Sequence, residues 1–405
     1  MKNKQHLNKI RIIKELYFSG PLSCSDLCAA LNKSLPFVTS LLSELVEEEL
    51  VIDTGFAPSS GGRRPILYKL VTNKIFIVSV AVDQLVTRIA LLDVQNNVVG
   101  SVYKYQLTLA NHPNPLTSLG YYLQQFIETV PVKTYKIIGV GISMPGFIDI
   151  KKSINYSFLS TPDGTSIVEY LHKKLHLPIF IDNDSSLIAL AQSRFGMAKN
   201  KSNAMVINIG WGVGLGMILN GQLYRGDTGF AGEFSHIPLF MNNKLCQCGK
   251  SGCLETETSL LVLIQRVAEK IKNGKVSKLS NFNFENKEEA AVQILRGAKE
   301  GDKLCIEVLS EIAYKIGRGV SILIHLFNPE LILLCGRGAL AGKIWIAPIE
   351  QAINEYCIPR LVHNTQVKVS DQILDSELIG AACLVMENYE RVPISQYDQI
   401  IHDLN

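Results

Sequence analysis

Apolar positions recur at helical spacing through the first 50 residues of the chain and then, beyond residue 75, gather into short β-rich runs. Ile10, Ile13 and Leu16 mark one face of a first helix, with Ile12 and Tyr17 beside them. Ser23 is placed to cap a second helix, with Asp26 three positions on and Leu27 and Leu31 on its apolar face. Asn32 and Lys33 break that run. Ser34 caps a third helix that tolerates Pro36 in its first turn, and Val38, Leu41, Leu42 and Leu45 form its buried stripe. Two strand-like runs follow, Val51-Ile52 and Ile66 to Tyr68, on either side of SSGGRRP (Ser59 to Pro65). From residue 75 the runs IFIVSVAV, RIALLDV, KIIGVGISM, IFIDND, AMVINI and LILLCG alternate with helical segments. That alternation predicts an α/β architecture of helix-covered sheets, joined to the first unit by a linker near residues 70–74. No short-period internal repeat is evident.

The N-terminal pattern predicts a DNA reader. Two helices joined by a tight turn form a helix-turn-helix, and at 100° per residue the third helix turns Pro36, Thr39, Ser40 and Ser43 away from its buried stripe. Side chains this short suit close approach to a groove. The paired glycines that follow make a flexible hairpin tip, a wing, from which Arg63 and Arg64 project two permanent charges toward phosphates or a minor groove. Residues 1–70 carry nine Lys/Arg against seven Asp/Glu, with the basic groups at the N-terminus, at Lys33 and on the wing. The expected DNA contacts are therefore Lys33, Pro36, Thr39, Ser40, Ser43, Arg63 and Arg64. One such unit offers few base contacts, so the expectation is a homodimer or dimer of dimers reading two half-sites of double-stranded operator DNA.

Composition narrows the rest. Apolar residues make up 47% and charged residues 19%, enough for substantial cores, and a net charge of +3 implies no chain-wide polyelectrolyte behaviour. No run reaches the roughly 18 apolar residues of a membrane span, and no signal peptide is evident, so a cytoplasmic location without membrane contact is expected. Of nine cysteines, Cys24, Cys28, Cys305, Cys335, Cys357 and Cys383 are scattered in apolar contexts and read as buried free thiols. Cys246, Cys248 and Cys253 are bunched close after His236. Three thiolates and an imidazole make a closed tetrahedral set for a structural zinc ion (Zn2+), with no position left open for catalysis.

Several long motifs run in order: GISMPG (Gly141 to Gly146), IDND (Ile181 to Asp184), AGEFSH (Ala231 to His236), CQCGKSGCLE and NPELILLCGRG (Asn328 to Gly338). With the SSGGRRP wing they give the chain a close resemblance, over nearly its whole length, to the ROK family of sugar-responsive repressors and sugar kinases. The resemblance implies an α/β fold, an N-terminal winged helix-turn-helix followed by a two-lobed actin-like domain with a sugar cleft between its lobes. It places the DNA-binding unit in residues 1–70, a first lobe in 71–182 completed by 365–405, and a second lobe carrying the zinc loop in 183–364. It also implies a small sugar or sugar derivative held by Asn183, Asp184, Glu233, His236 and Glu255. Carboxylates and an amide suit that task, because they make directed hydrogen bonds to neighbouring hydroxyls.

The same resemblance separates repressor from kinase. The family's first phosphate motif, Asp-x-Gly-Gly-Thr, reads here Ala81-Val82-Asp83-Gln84-Leu85, with an aspartate where anion repulsion is expected. The second keeps its glycines (Gly210, Gly212, Gly214, Gly216), but Trp211 replaces a threonine, and Arg337 alters the adenosine-side glycine run. Asp184, the family's catalytic base, remains, yet a base without a held γ-phosphate has nothing to act on. The expectation is a sugar-responsive DNA-binding repressor of carbohydrate-metabolism genes, with no catalytic residues. The alternative is an active ATP-dependent sugar kinase with a DNA-binding extension.

Overall fold

In a computed structural model of the chain, three helices open the fold: α1 (Lys2–Ser19), α2 (Cys24–Leu31) and α3 (Leu35–Glu47). The structure describes residues 2–57, 64–110, 112–161, 164–371, 376–393, 395, 397, 399 and 400. Ser23 and Asp26 form a reciprocal capping box at the start of α2, and Asn32 ends it in the left-handed conformation at φ 52°. Ser34 stands at the N-cap of α3 without a side-chain cap bond. Val38, Leu41, Leu42 and Leu45 are all buried, as the spacing predicts. Strands β1 (Leu22–Ser23), β2 (Val51–Phe56) and β3 (Ile66–Leu70) complete an antiparallel sheet in the order β1-β3-β2. The short β1 has no pattern of its own and was not foreseen. The wing tip, 58–63 with Arg63, lies outside the described residues.

The chain divides into two units, Met1–Asn183 with Leu378–Asn405, and Asp184–Glu377. Past β3 the first unit contains β4 (Phe76–Val82), β5 (Val86–Asp93), β6 (Tyr103–Gln106), α4 (Pro115–Thr129) and β7 (Ile137–Met144). The small pair β8 (Ile148–Asp149) and β9 (Ile154–Asn155), then α5 (Ile167–Leu175) and β10 (Ile179–Asn183), follow. Strands β4, β5 and β7 are buried at every residue, which is why they read as continuous apolar runs rather than alternating ones. The sheet order is β10-β7-β4-β5-β6, parallel between β4, β7 and β10 and antiparallel from β4 to β6.

The second unit opens with α6 (Asp184–Phe195) and the strands β11 (Ala204–Ile209), β12 (Val213–Leu219) and β13 (Gln222–Tyr224). Helices α7 (Glu255–Thr258), α8 (Leu260–Lys272), α9 (Lys287–Lys299) and α10 (Lys303–Phe327) lead to β14 (Leu331–Cys335), and α11 (Ile346–Tyr356) and α12 (Pro359–Val362) to β15 (Gln366–Val369). The sheet order is β13-β12-β11-β14-β15, with the same pattern of parallel and antiparallel pairs as the first sheet. The chain thus uses one sheet topology twice. No repeat was legible in the sequence because what recurs is strand connectivity, not residues. Residues 366–369, expected with the first lobe, instead form β15 beside β14; the return to the first unit begins at Leu378. The parallel partner offered by β14 decides this, since β15 continues its ladder.

Helix α13 (Ser376–Glu387) then covers the face of β7 that α4 and α5 leave open: a Cβ on Gly141 would lie 2.0 Å from the carbonyl oxygen of Ala381. The three-helix segment rests on the residues around the end of α13. Lys14 Nζ donates to the carbonyl of Glu387 at 2.9 Å, the Tyr397 hydroxyl donates to Glu48 at 2.9 Å, and the Tyr397 ring meets His6 edge-on.

Candidate functional site

The β11–β12 turn organises one side of the second unit. Gly214 faces α6 so closely that a Cβ there would stand 1.9 Å from Ser185 Oγ, and one on Gly212 would stand 2.6 Å from Glu255 Oε2. A side chain at either position would have to displace these neighbours, so close packing calls for glycine at both. At the start of α6, Asp184 Oδ1 accepts from the amide (2.7 Å) and the hydroxyl (3.1 Å) of Ser185, and Asn208 Nδ2 donates to Oδ2 at 3.3 Å. Asn183, at the end of β10 in the first unit, donates from Nδ2 to the Gly146 carbonyl at 3.2 Å.

Glu233, His236 and Glu255 come together. His236 Nε2 lies 3.7 Å from Glu233 Oε2, and Glu255, the first residue of α7, accepts from the Val213 amide at 3.4 Å. The Glu233 side chain keeps 39% exposure. Partial burial, and then the Glu255 charge, push its carboxyl up to about 7. Two acceptors and a ring nitrogen in one place suit a ligand rich in hydroxyl groups.

The other ring nitrogen faces the cysteine loop. His236 Nδ1 is 3.5 Å from Cys246 Sγ, Cys248 Sγ is 3.6 Å from Cys253 Sγ, and all four ligand atoms lie within 4.8 Å of one another. A tetrahedral zinc with ordinary Zn–S and Zn–N bonds requires edges of about 3.8 Å between sulfurs and about 3.6 Å between nitrogen and sulfur. The set fits. Burial, with the neighbouring thiols, pushes Cys253 up to about 12. A hairpin frames the ligands: Cys246 N–H donates to Lys250 O at 2.8 Å, and Leu254 N–H donates to Ile237 O at 3.0 Å. Among the scattered cysteines, Cys305, Cys335, Cys357 and Cys383 are buried, whereas Cys24 and Cys28 are half-buried on α2.

Sequence reading missed Glu257. Its side chain is 6% exposed and is met by Lys244 at 2.7 Å, Lys315 and Arg266, while Asn242 Nδ2 donates to it at 2.6 Å. It ties both ends of the cysteine loop to α8 and α10. Burial alone would raise its carboxyl, but bonds from Lys244 and Lys315 and the charges of Lys315 and Arg266 outweigh this and hold it at about 2. A carboxyl held below its unfolded value stabilises the fold above that value, near pH 4.3, and loses the contribution as pH falls toward about 2. Glu257→Gln should therefore cost about 2–3 kcal/mol at pH 7. The gap between wild type and variant in denaturant melts should stay flat down to about pH 5 and narrow below it. A gap unchanged at pH 3 would rule the carboxylate out as its source.

Of the residues expected to contact DNA, Lys33, Pro36, Thr39, Ser40 and Ser43 are all exposed, and Arg64 is exposed with its guanidinium 5.8 Å over the Phe56 ring. The acidic end of α3 is neutralised from within: Lys9 pairs with Glu44 at 2.8 Å and with Glu48, and Lys74 pairs with Glu49. Phe56 at 64% exposure and Leu35 at 56% were not singled out from sequence.

The chain thus combines a three-helix segment and a β-hairpin with two matching sheet units and a thiol-imidazole loop. A model of the ROK family matches residues 81–388, and the chain belongs to that family. It is 30% identical over 392 residues, 95% of this chain and 96% of the relative, to the xylose repressor of Bacillus subtilis (strain 168). The crystal structure of a ROK family transcriptional regulator, a homologue of the E. coli MLC protein, covers 99% of this chain and 100% of its own at TM-score 0.77 and 25% identity. A ROK family glucokinase from Streptomyces griseus, solved with glucose and AMPPNP, covers 76% of this chain and 98% of its own at TM-score 0.65 and 23% identity, a likeness of fold.

Proposed function

We propose that this chain is a sugar-responsive, DNA-binding transcriptional repressor of carbohydrate-metabolism genes that transfers no phosphate. Its effector, a small sugar or sugar derivative, is held in the second unit by Asp184, Glu233, His236 and Glu255, with Asn183 next to Asp184 in the chain. A structural zinc on His236, Cys246, Cys248 and Cys253 braces the loop that carries two of these groups. The wing and the α3 face contact operator DNA, as a two-fold pair of chains.

One observation carries the reading: in the first unit the hairpin turn that a nucleotide phosphate would need is already filled. In the β4–β5 turn, Asp83 Oδ1 accepts from the amides of Leu85 (2.7 Å) and Val86 (2.8 Å), so its own carboxylate takes the place of an anion. The sequence suggested repulsion; occupation is the stronger effect. In the β11–β12 turn, Trp211 is 6% exposed beneath the Arg337 guanidinium, 5.1 Å from its ring centre, and Arg337 reaches Glu288 at 3.4 Å. The full-length likeness to a transcriptional regulator supports the same reading.

A sugar panel tests it. Trp211 is one of two tryptophans and precedes Gly212, the residue that Glu255 approaches, while Trp345 is fully buried elsewhere. One sugar should change Trp211 fluorescence and, at about a hundred times its Kd, raise Tm by about 5–10 °C. Magnesium ATP should change neither. Sugar-dependent release of ADP would overturn the reading in favour of the kinase with a DNA-binding extension.

A further inference from the structure

We propose that Leu35 and Phe37 read thymine C5-methyl groups, so that this chain selects its DNA sites through apolar contacts in the major groove. The inference rests on the DNA-reading face described above and concerns what that face can recognise. Leu35 is 56% exposed and Phe37 37%, while the buried stripe of the same helix (Val38, Leu41, Leu42 and Leu45) is no more than 2% exposed. The two apolar side chains are therefore surplus to the core. Both lie in the first turn of α3, the end of a recognition helix that meets base edges. At 100° per residue Leu35 stands beside Thr39 and Phe37 beside Ser40, so they flank the hydroxyl strip on either side.

The rest of the face leaves few other ways to read sequence. Guanine is recognised by Arg or Lys, adenine by Asn or Gln, and thymine by apolar contact with its methyl group. From Leu35 to Glu47 the helix contains no Arg, Lys, Asn or Gln. Glu44, beside the strip, is engaged by Gln5 at 2.7 Å and Lys9 at 2.8 Å, and Glu47, which continues the strip, is the last residue of the helix, far from the end that meets base edges. Hydroxyls of Thr39, Ser40 and Ser43 pair with either base type and discriminate little. Within α3, Leu35 and Phe37 are the side chains with a base preference, and it is for a methyl group; Lys33, in the turn before the helix, is the group suited to guanine.

The test uses the full chain. Selection from a pool of random duplexes gives its preferred site, which is then made twice, once with thymine and once with deoxyuridine, identical except for the methyl. Wild type should bind the deoxyuridine duplex more weakly by about fourfold for each methyl it buries. The variant Leu35→Ala with Phe37→Ala should keep its melting temperature, bind the thymine duplex more weakly, and be indifferent to methyl removal within about twofold. Equal wild-type affinity for the two duplexes overturns the proposal and leaves the DNA-reading face standing; so does a variant with undiminished methyl sensitivity. A pool that yields no enriched duplex removes the face itself.

Discussion

Replacing Cys248 by serine should lower the melting temperature by about 6–12 °C, the equivalent of about 3 kcal/mol in a unit of this size, and release close to one zinc per chain. The size of the effect follows from what the metal adds within residues 246–253, inside the ends that Glu257 ties down. Leu245 is 79% exposed, and the framing hydrogen bonds are few backbone contacts closing a tight hairpin. With Cys248 gone, Cys253 loses its neighbour at 3.6 Å, and the remaining ligands no longer close a tetrahedron. Because His236 and Glu255 flank this loop, sugar affinity should fall with stability. Metal analysis and thermal melts of protein purified without chelator check both points. Wild type without stoichiometric zinc, or a variant melting with it, would remove the metal from the account.

Replacing Asp184 by asparagine should weaken sugar binding by about 10–150-fold, the worth of one charge-assisted hydrogen bond, and leave operator affinity unchanged. Asp184 Oδ1 is committed to Ser185, and Oδ2, held by Asn208 Nδ2, keeps acceptor capacity for a ligand hydroxyl. In the variant the amide oxygen inherits the Ser185 bonds, which turns an NH2 group toward the NH2 group of Asn208. The second acceptor is lost and two donors face each other. A paired titration, operator DNA first and sugar second, separates the effects. Release of DNA at the wild-type sugar concentration would take Asp184 out of the sensing site.

Much of this was open to reading in sequence because the signals are local. The stripe of Val38 to Leu45, the capping box at Ser23 and the spacing of Cys246, Cys248 and Cys253 each declare a structure within a dozen residues. Glu257 could not be found that way: its partners, Lys244, Arg266 and Lys315, come from three separate segments, and a lone glutamate near a cysteine loop reads as solvated surface. The glycines of the β11–β12 turn were legible only as what remains of a phosphate motif. The packing of Gly214 against Ser185 and of Gly212 against Glu255 joins positions some 30–40 residues apart, which no local pattern shows. Asp83 shows the same limit, since charge was legible but the direction of its hydrogen bonds was not. The boundary at Leu378 escaped for a related reason: nothing in residues 366–369 says which sheet they will join.

The late return of the chain sets the order in which the protein can be completed. Strand β7 is made early, but Ala381 and Val385, which pack against Gly141 and Gly139, follow some 240 residues later. At a synthesis rate of about 5–20 residues per second, one side of the first sheet waits roughly 12–50 seconds for its cover. The DNA-reading helices wait as well, because the groups that seat them, the Glu387 carbonyl and Tyr397, arrive in the same stretch. A nascent chain stopped short of α13 would keep α3 packed on α1 and α2 but lack these two contacts and the cover over Gly139 and Gly141.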